Sequence, residues 1–152
     1  MRLSKNFQLE EFLVSGTAER DGIDMTPGDV VTENLQRLVT DGLQPLRDEL
    51  GRGIYISSGF RPLELNKLIG GSKTSEHIYG NAADFKVMGQ SPFETCELIV
   101  AMGLPFDQII HEFGKWVHWG MRDTLRSQQL TAHRHEGKTR YVPGIIRMED
   151  LT

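Results

Sequence analysis

The sequence predicts an α+β fold, and three observations carry that prediction. Between Val30 and Leu50 the apolar residues recur every three or four positions, the spacing of an amphipathic helix. The middle of the chain instead holds short alternating or β-branched runs, each bounded by Gly, Pro or Ser. Helices therefore gather early and strands later, without the regular alternation of a βαβ array. The length, 152 residues, is that of one domain, and a chain of this size buries roughly 70% of the surface its unfolded form exposes.

The elements follow in order. Residues 4–11 open a short capped helix with Phe7, Leu9, Phe12 and Leu13 nearby, and residues 15–28 lose all periodicity and read as a loop. Over residues 27–50, Val30, Val31, Leu35, Leu38, Val39, Leu43, Leu46 and Leu50 form one helical stripe closed by Gly51, with Pro45 set to kink or split it. Ile54–Ser58 alternates and emerges from the turn Gly51-Arg52-Gly53 as a strand. Pro62 opens a short helix, Leu63–Leu68, ending at Gly70-Gly71. Ala82–Val87 reads as a second strand, and Ser91-Pro92-Phe93-Glu94 caps a helix running to about Met102. Residues 105–113 and 116–121 are two strands joined at Gly114-Lys115, and after Arg122 the polar, basic tail offers one last strand at 141–146.

Composition excludes several classes of function. Seventeen basic residues against 21 acidic give a net charge of -4, which argues against a nucleic-acid partner. No stretch approaches the roughly 20 apolar residues of a membrane span. The start, MRLSKNFQLEEF, lacks the apolar run of a secretory signal, so the expectation is a chain cytoplasmic as synthesised. Cys96 is the single cysteine, which removes intramolecular disulfides and thiolate metal sites; any metal must be held by His and carboxylates.

Candidate ligands of that kind exist. His77 and Asp84 flank a turn containing Gly80, and His118 stands in the apolar run Trp116-Val117-His118-Trp119. A hydrolytic metal site uses three protein ligands and keeps one position open, and a His/Asp/His set suits zinc better than magnesium or calcium. A lone strand histidine is ordinarily a hydrogen-bonded core residue, and an aspartate after a glycine turn ordinarily serves the turn. Spacing by itself leaves the two readings balanced.

The string Ser75-x-His77-x-x-Gly80-x-Ala82-x-Asp84, followed by Trp116-Val117-His118, resembles the zinc peptidases of the D-alanyl-D-alanine carboxypeptidase type, which include phage and bacterial enzymes cutting cell-wall peptides. The resemblance runs from Leu3 through Ser58-Gly59-Phe60-Arg61 to about Met121. It implies the small α+β fold shared with the Hedgehog signalling domain, an antiparallel sheet holding one zinc ion through His77, Asp84 and His118. It also assigns Arg61 and Ser75 to substrate: a guanidinium matches a carboxylate or carbonyl bidentately, and the serine hydroxyl sits beside the metal. Residues 1–152 then form a single domain, with a helical part (1–50), a metal-site core (51–122) and a polar tail (123–152).

The general base is the open position in this scheme. Many relatives place an acid three residues before the second histidine, where this chain has Lys115. The nearest acid is Glu112. A two-residue loop, Gly114-Lys115, would pair Glu112 with Val117 and turn it from the metal face, whereas a three-residue loop, Phe113-Gly114-Lys115, would pair it with Trp116 on the face of His118. The longer loop is expected, because the chemistry requires an acid there; His111 is the fallback. The expected substrate is a peptidoglycan stem peptide containing D-amino acids, cut as a carboxypeptidase or as an endolysin-like endopeptidase. Release to the cell wall by phage lysis, or carriage on a virion, is the setting that fits. Lys115 keeps open a rival, a zinc-binding or phage structural module without catalysis. His133-Arg134-His135, on a polar stretch, is expected to be solvated rather than a second metal site.

Overall fold

The structure is a computed structural model in which residues 1–151 are described. Its centre is one six-stranded sheet, β1 Ile54–Ser58, β2 Ala82–Val87, β3 Gln108–Glu112, β4 Trp116–Gly120, β5 Gln128–His135 and β6 Lys138–Pro143, in the order β1-β2-β4-β3-β5-β6. Among the described residues five α-helices accompany it: α1 Gly16–Asp21, α2 Asp29–Leu38, α3 Gln44–Leu50, α4 Leu63–Leu68 and α5 Pro92–Ala101. None of the helices described is long and apolar enough to cross a membrane.

The α+β class stands, but the sheet is mixed rather than antiparallel, because β3 and β5 run parallel. The chain's path explains this. β3 and β4 form a hairpin, so β4 ends beside the start of β3. Residues 121–127 then cross the end of β3, and the next strand can only start where β3 starts. The crossing is fastened at Asp107, whose carboxylate accepts three hydrogen bonds from Arg126, one from the backbone N–H at 3.0 Å and two from the guanidinium at 3.0 and 2.7 Å.

The long N-terminal stripe forms as α2 and α3, joined by a π-helical segment, Val39–Leu43, rather than by a break. Pro45 has no N–H, and its ring would press on the carbonyl four residues back; widening the preceding turn removes that clash. Leu35, Leu38, Val39, Leu43 and Leu46, all fully buried, share one core with Phe12 of the N-terminal turn and with Phe85, Val117 and Trp119 of the sheet. Strand alternation divides the sheet: Phe85, Ile109, Val117 and Trp119 enter this core, and their neighbours point to the opposite face.

The early chain differs from expectation at two places. The first helical turn falls at Leu9–Phe12, and residues expected to be loop contain α1, capped by Ser15 Oγ accepting from the Ala18 N–H. With Ala18 as its one buried residue, α1 has no apolar stripe to reveal it.

Candidate metal centre

Pairing of β2 with β4 sets Asp84 opposite His118, both on the face away from the core. His77 arrives on a separate single turn of 3-10 helix, Glu76–Tyr79, whose cap is Ser75: its Oγ accepts from the His77 N–H at 3.3 Å. The turn closes at Gly80 with φ 73, the left-handed region that favours glycine, and a Cβ there would also stand 2.8 Å from Val31.

Each histidine presents one nitrogen to Asp84. His77 Nδ1 lies 2.7 Å from the Gly59 carbonyl, which only accepts, so that nitrogen carries a proton, and Nε2 stands 3.3 Å from Asp84 Oδ1. His118 Nδ1 lies 2.9 Å from the same oxygen. One atom from each of His77, Asp84 and His118 lies within 4.8 Å of the other two. Two imidazoles and a carboxylate converging in this way fit a divalent metal, and the Gly59 carbonyl is the kind of outer partner that fixes a ligand's tautomer and ring orientation.

Glu112 joins them. β3 and β4 pair Glu112 with Trp116, the register of the three-residue loop, and Glu112 Oε1 lies 3.9 Å from His118 Nδ1. Burial pushes the Glu112 pKa up to about 7, with the Asp84 charge adding to the rise and His118 and Arg61 opposing it. For Asp84, burial acts upward too, but the charges and hydrogen bonds of His77 and His118 prevail and hold it well below the usual carboxylate range. His111 faces Val117, is buried, and has Nδ1 2.9 Å from the Ile146 carbonyl; it belongs to the other face and anchors the tail.

His77, Asp84, Glu112 and His118 line a cleft of about 660 Å³, within the range of small-molecule sites. Arg61 lines it as well, and its Nη2 donates to Ser75 Oγ at 3.1 Å. Arg61 Nε and Trp116 Nε1 are buried without a hydrogen-bond partner among the described residues, and both side chains face the cleft. The sequence did not single out Arg122, Arg126, Leu130 and Tyr141, which also line it. The tail was read as polar loop until residue 141, yet Gln128–His135 and Lys138–Pro143 form a hairpin. Its signal was Glu136-Gly137, two residues of positive φ that make a tight two-residue turn. His133 and His135 lie on β5 with ring centroids 6.4 Å apart, outside the metal group.

A family model described as Peptidase M15 matches residues 5–120, a span that takes in His77, Asp84, Glu112 and His118. No curated protein matches the chain. The match covers most of the sequence and every element that builds the three-ligand group, and the chain belongs to the Peptidase M15 family of metallopeptidases.

Proposed function

We propose that the protein is a zinc-dependent peptidase that hydrolyses D-amino-acid-containing stem peptides of peptidoglycan, with Glu112 as its general base. The observation that carries the reading is the position of the Glu112 carboxylate, on the face of His118 and 3.9 Å from its Nδ1; Glu76 also lines the cleft, but its carboxylate is engaged by Asn81 Nδ2 at 2.9 Å and by Arg122 Nε at 3.5 Å.

His77, Asp84 and His118 would hold the metal, whose nitrogen and oxygen donors suit zinc. When bound, zinc supplies Lewis acidity toward a peptide carbonyl and lowers the pKa of water. Glu112 takes the proton from the attacking water and passes it to the leaving amine, within reach of both because it stands beside the ligands rather than behind them. Arg61 holds a carboxylate or carbonyl of the peptide. Ser75 steadies that guanidinium, and its second contact, to the His77 amide, ties the substrate side of the cleft to a metal ligand.

The test compares wild type, Glu112→Gln and His77→Ala for zinc content and for hydrolysis of D-Ala-D-Ala dipeptide and intact peptidoglycan. Glu112→Gln is expected to keep stoichiometric zinc and lose about 10²- to 10⁴-fold in turnover, while His77→Ala loses the zinc. Full turnover in Glu112→Gln removes it as base. Zinc retained by a wild type that cuts neither substrate places the chain with non-catalytic zinc modules. Which of the two substrates is cut decides between exo and endo action.

A further inference from the structure

The family match ends at residue 120, but the cleft does not: Arg122 and Arg126 of the crossing segment line it further, and so do Leu130 and Tyr141 of the β5–β6 hairpin. Register across four adjacent strands aligns Trp116 with Glu112, Glu112 with Ala132, and Ala132 with Tyr141. Residues aligned in this way project from one face of a sheet. Tyr141 is thus two strands from the general base, and Ala132 between them interposes only a methyl group. The hairpin is held to the site by a hydrogen bond from the Phe113 N–H to the Ala132 carbonyl, 2.9 Å. On its other side Thr131 Oγ1 donates to the Gly144 carbonyl at 2.7 Å and accepts from the Ile146 N–H at 2.9 Å.

Tyr141 is 55% exposed on a strand whose neighbours are mostly solvent-facing, yet it lines the same cleft as Arg61, Glu112 and His118. A tyrosine offers an apolar ring and one polar tip, which suits a ligand that is part backbone and part apolar side chain. Burial, then the negative charges of Glu112 and Asp84, raises the pKa of its phenol, so the proton stays on and the group remains a donor.

We propose that Tyr141 is a substrate-binding residue whose phenolic O–H donates a hydrogen bond to a carbonyl oxygen of a peptide lying in the cleft, opposite the wall formed by Arg61 and Ser75. The proposal rests on the peptidase reading for its ligand class and adds to it a residue from outside the matched region. Backbone carbonyls are the acceptors common to every peptide, so this contact would position the chain of the substrate rather than select its side chains.

The experiment uses the full chain, zinc-loaded, carrying Glu112→Gln to prevent turnover and 3-fluorotyrosine at its three tyrosines, Tyr55, Tyr79 and Tyr141. Fluorine NMR follows titration with N-acetyl-D-Ala-D-Ala, and loss of a signal in Tyr141→Phe identifies its resonance. The Tyr141 signal is expected to shift saturably while Tyr55, on the edge strand β1 far across the sheet, stays still. Tyr141→Phe is expected to weaken the dissociation constant roughly three- to tenfold, the loss of one neutral hydrogen bond, with an unchanged melting temperature. A static Tyr141 signal while peptide binds, or Tyr141→Phe binding as tightly as its parent, overturns the proposal, as does the absence of any peptide binding. Saturable binding at Tyr141 by a chain whose wild type hydrolyses nothing would sink the peptidase reading and leave this one standing.

Discussion

Gly59→Ala tests whether the backbone behind His77 sets the metal site. A Cβ at Gly59 would stand 2.6 Å from the Phe12 carbonyl oxygen and 2.7 Å from Phe12 Cα and Cβ. Ordinary contact needs about 3.5 Å, so the two segments must part by roughly 0.8 Å. Neither is free to do so: the Phe60 N–H donates to that same Phe12 oxygen at 2.8 Å, and Phe12 is fully buried. The Gly59 carbonyl receives the His77 Nδ1 proton at 2.7 Å, and a displacement of that size is enough to take the bond beyond useful length. Overpacking of this kind costs about 1–3 kcal/mol, a fall of roughly 2–12 °C in melting temperature for a domain of this length. Loss of an outer partner typically weakens metal binding about 10- to 100-fold. Zinc affinity is read by competition with a chromogenic chelator, alongside thermal melts of the metal-free protein. A variant that melts several degrees lower but binds zinc within twofold of wild type would refute the link from Gly59 to His77 and leave a packing effect alone.

Two further outcomes follow from the same site and its support. Arg61→Lys keeps the charge but loses the planar fork and the Nε donor; one charge-assisted bond is worth about 1.5–3 kcal/mol, so KM should rise roughly ten- to a hundredfold with little change in kcat, and an unchanged KM would remove Arg61 from substrate binding. For Asp107, burial alone would raise the pKa, but the hydrogen bonds and charge of Arg126 outweigh it and hold the carboxylate below its ordinary value. The unfolded chain therefore binds the proton more readily, so this stability is complete above about pH 4 and fades as pH falls through the native value. Asp107→Asn should cost about 1–3 kcal/mol at neutral pH, with urea melts of variant and wild type converging in acid; an equal gap at pH 7 and pH 2 would contradict the ion pair as its source.

The first half of the sheet was legible because its elements carry their own boundaries. The strands Ile54–Ser58 and Ala82–Val87, and the helix Leu63–Leu68 between them, fall where turn residues and alternation put them. The metal group was legible through the strings Ser75-x-His77-x-x-Gly80-x-Ala82-x-Asp84 and Trp116-Val117-His118, since spacing alone left a structural and a metal reading balanced; the pairing of β2 with β4 that sets Asp84 opposite His118 was visible only in the structure. Residues 128–143 were hidden by composition. The β6 strand is exposed at five of six positions and carries Lys138 and Arg140, so no apolar alternation marks it, although it closes the sheet. The parallel pairing of β3 with β5 was equally out of reach, since it follows from the path of residues 121–127 and from Asp107 gripping Arg126, two residues 19 apart. Glu112 lay between these cases: its two registers differed by one loop residue, and left-handed backbone at both Phe113 and Gly114 accommodates the longer loop.

The parallel pairing of β3 with β5 has a practical consequence for anyone cutting this domain to the matched span. Ending the chain at residue 120 would turn β3 from an interior strand into a sheet rim, with the backbone groups of Gln108–Glu112 that now pair with Gln128–Ala132 left bare. A strand edge bared in that way is a template for self-association. Fragments stopping there should precipitate or assemble edge to edge, and an inactive truncation would then report on solubility rather than on catalysis.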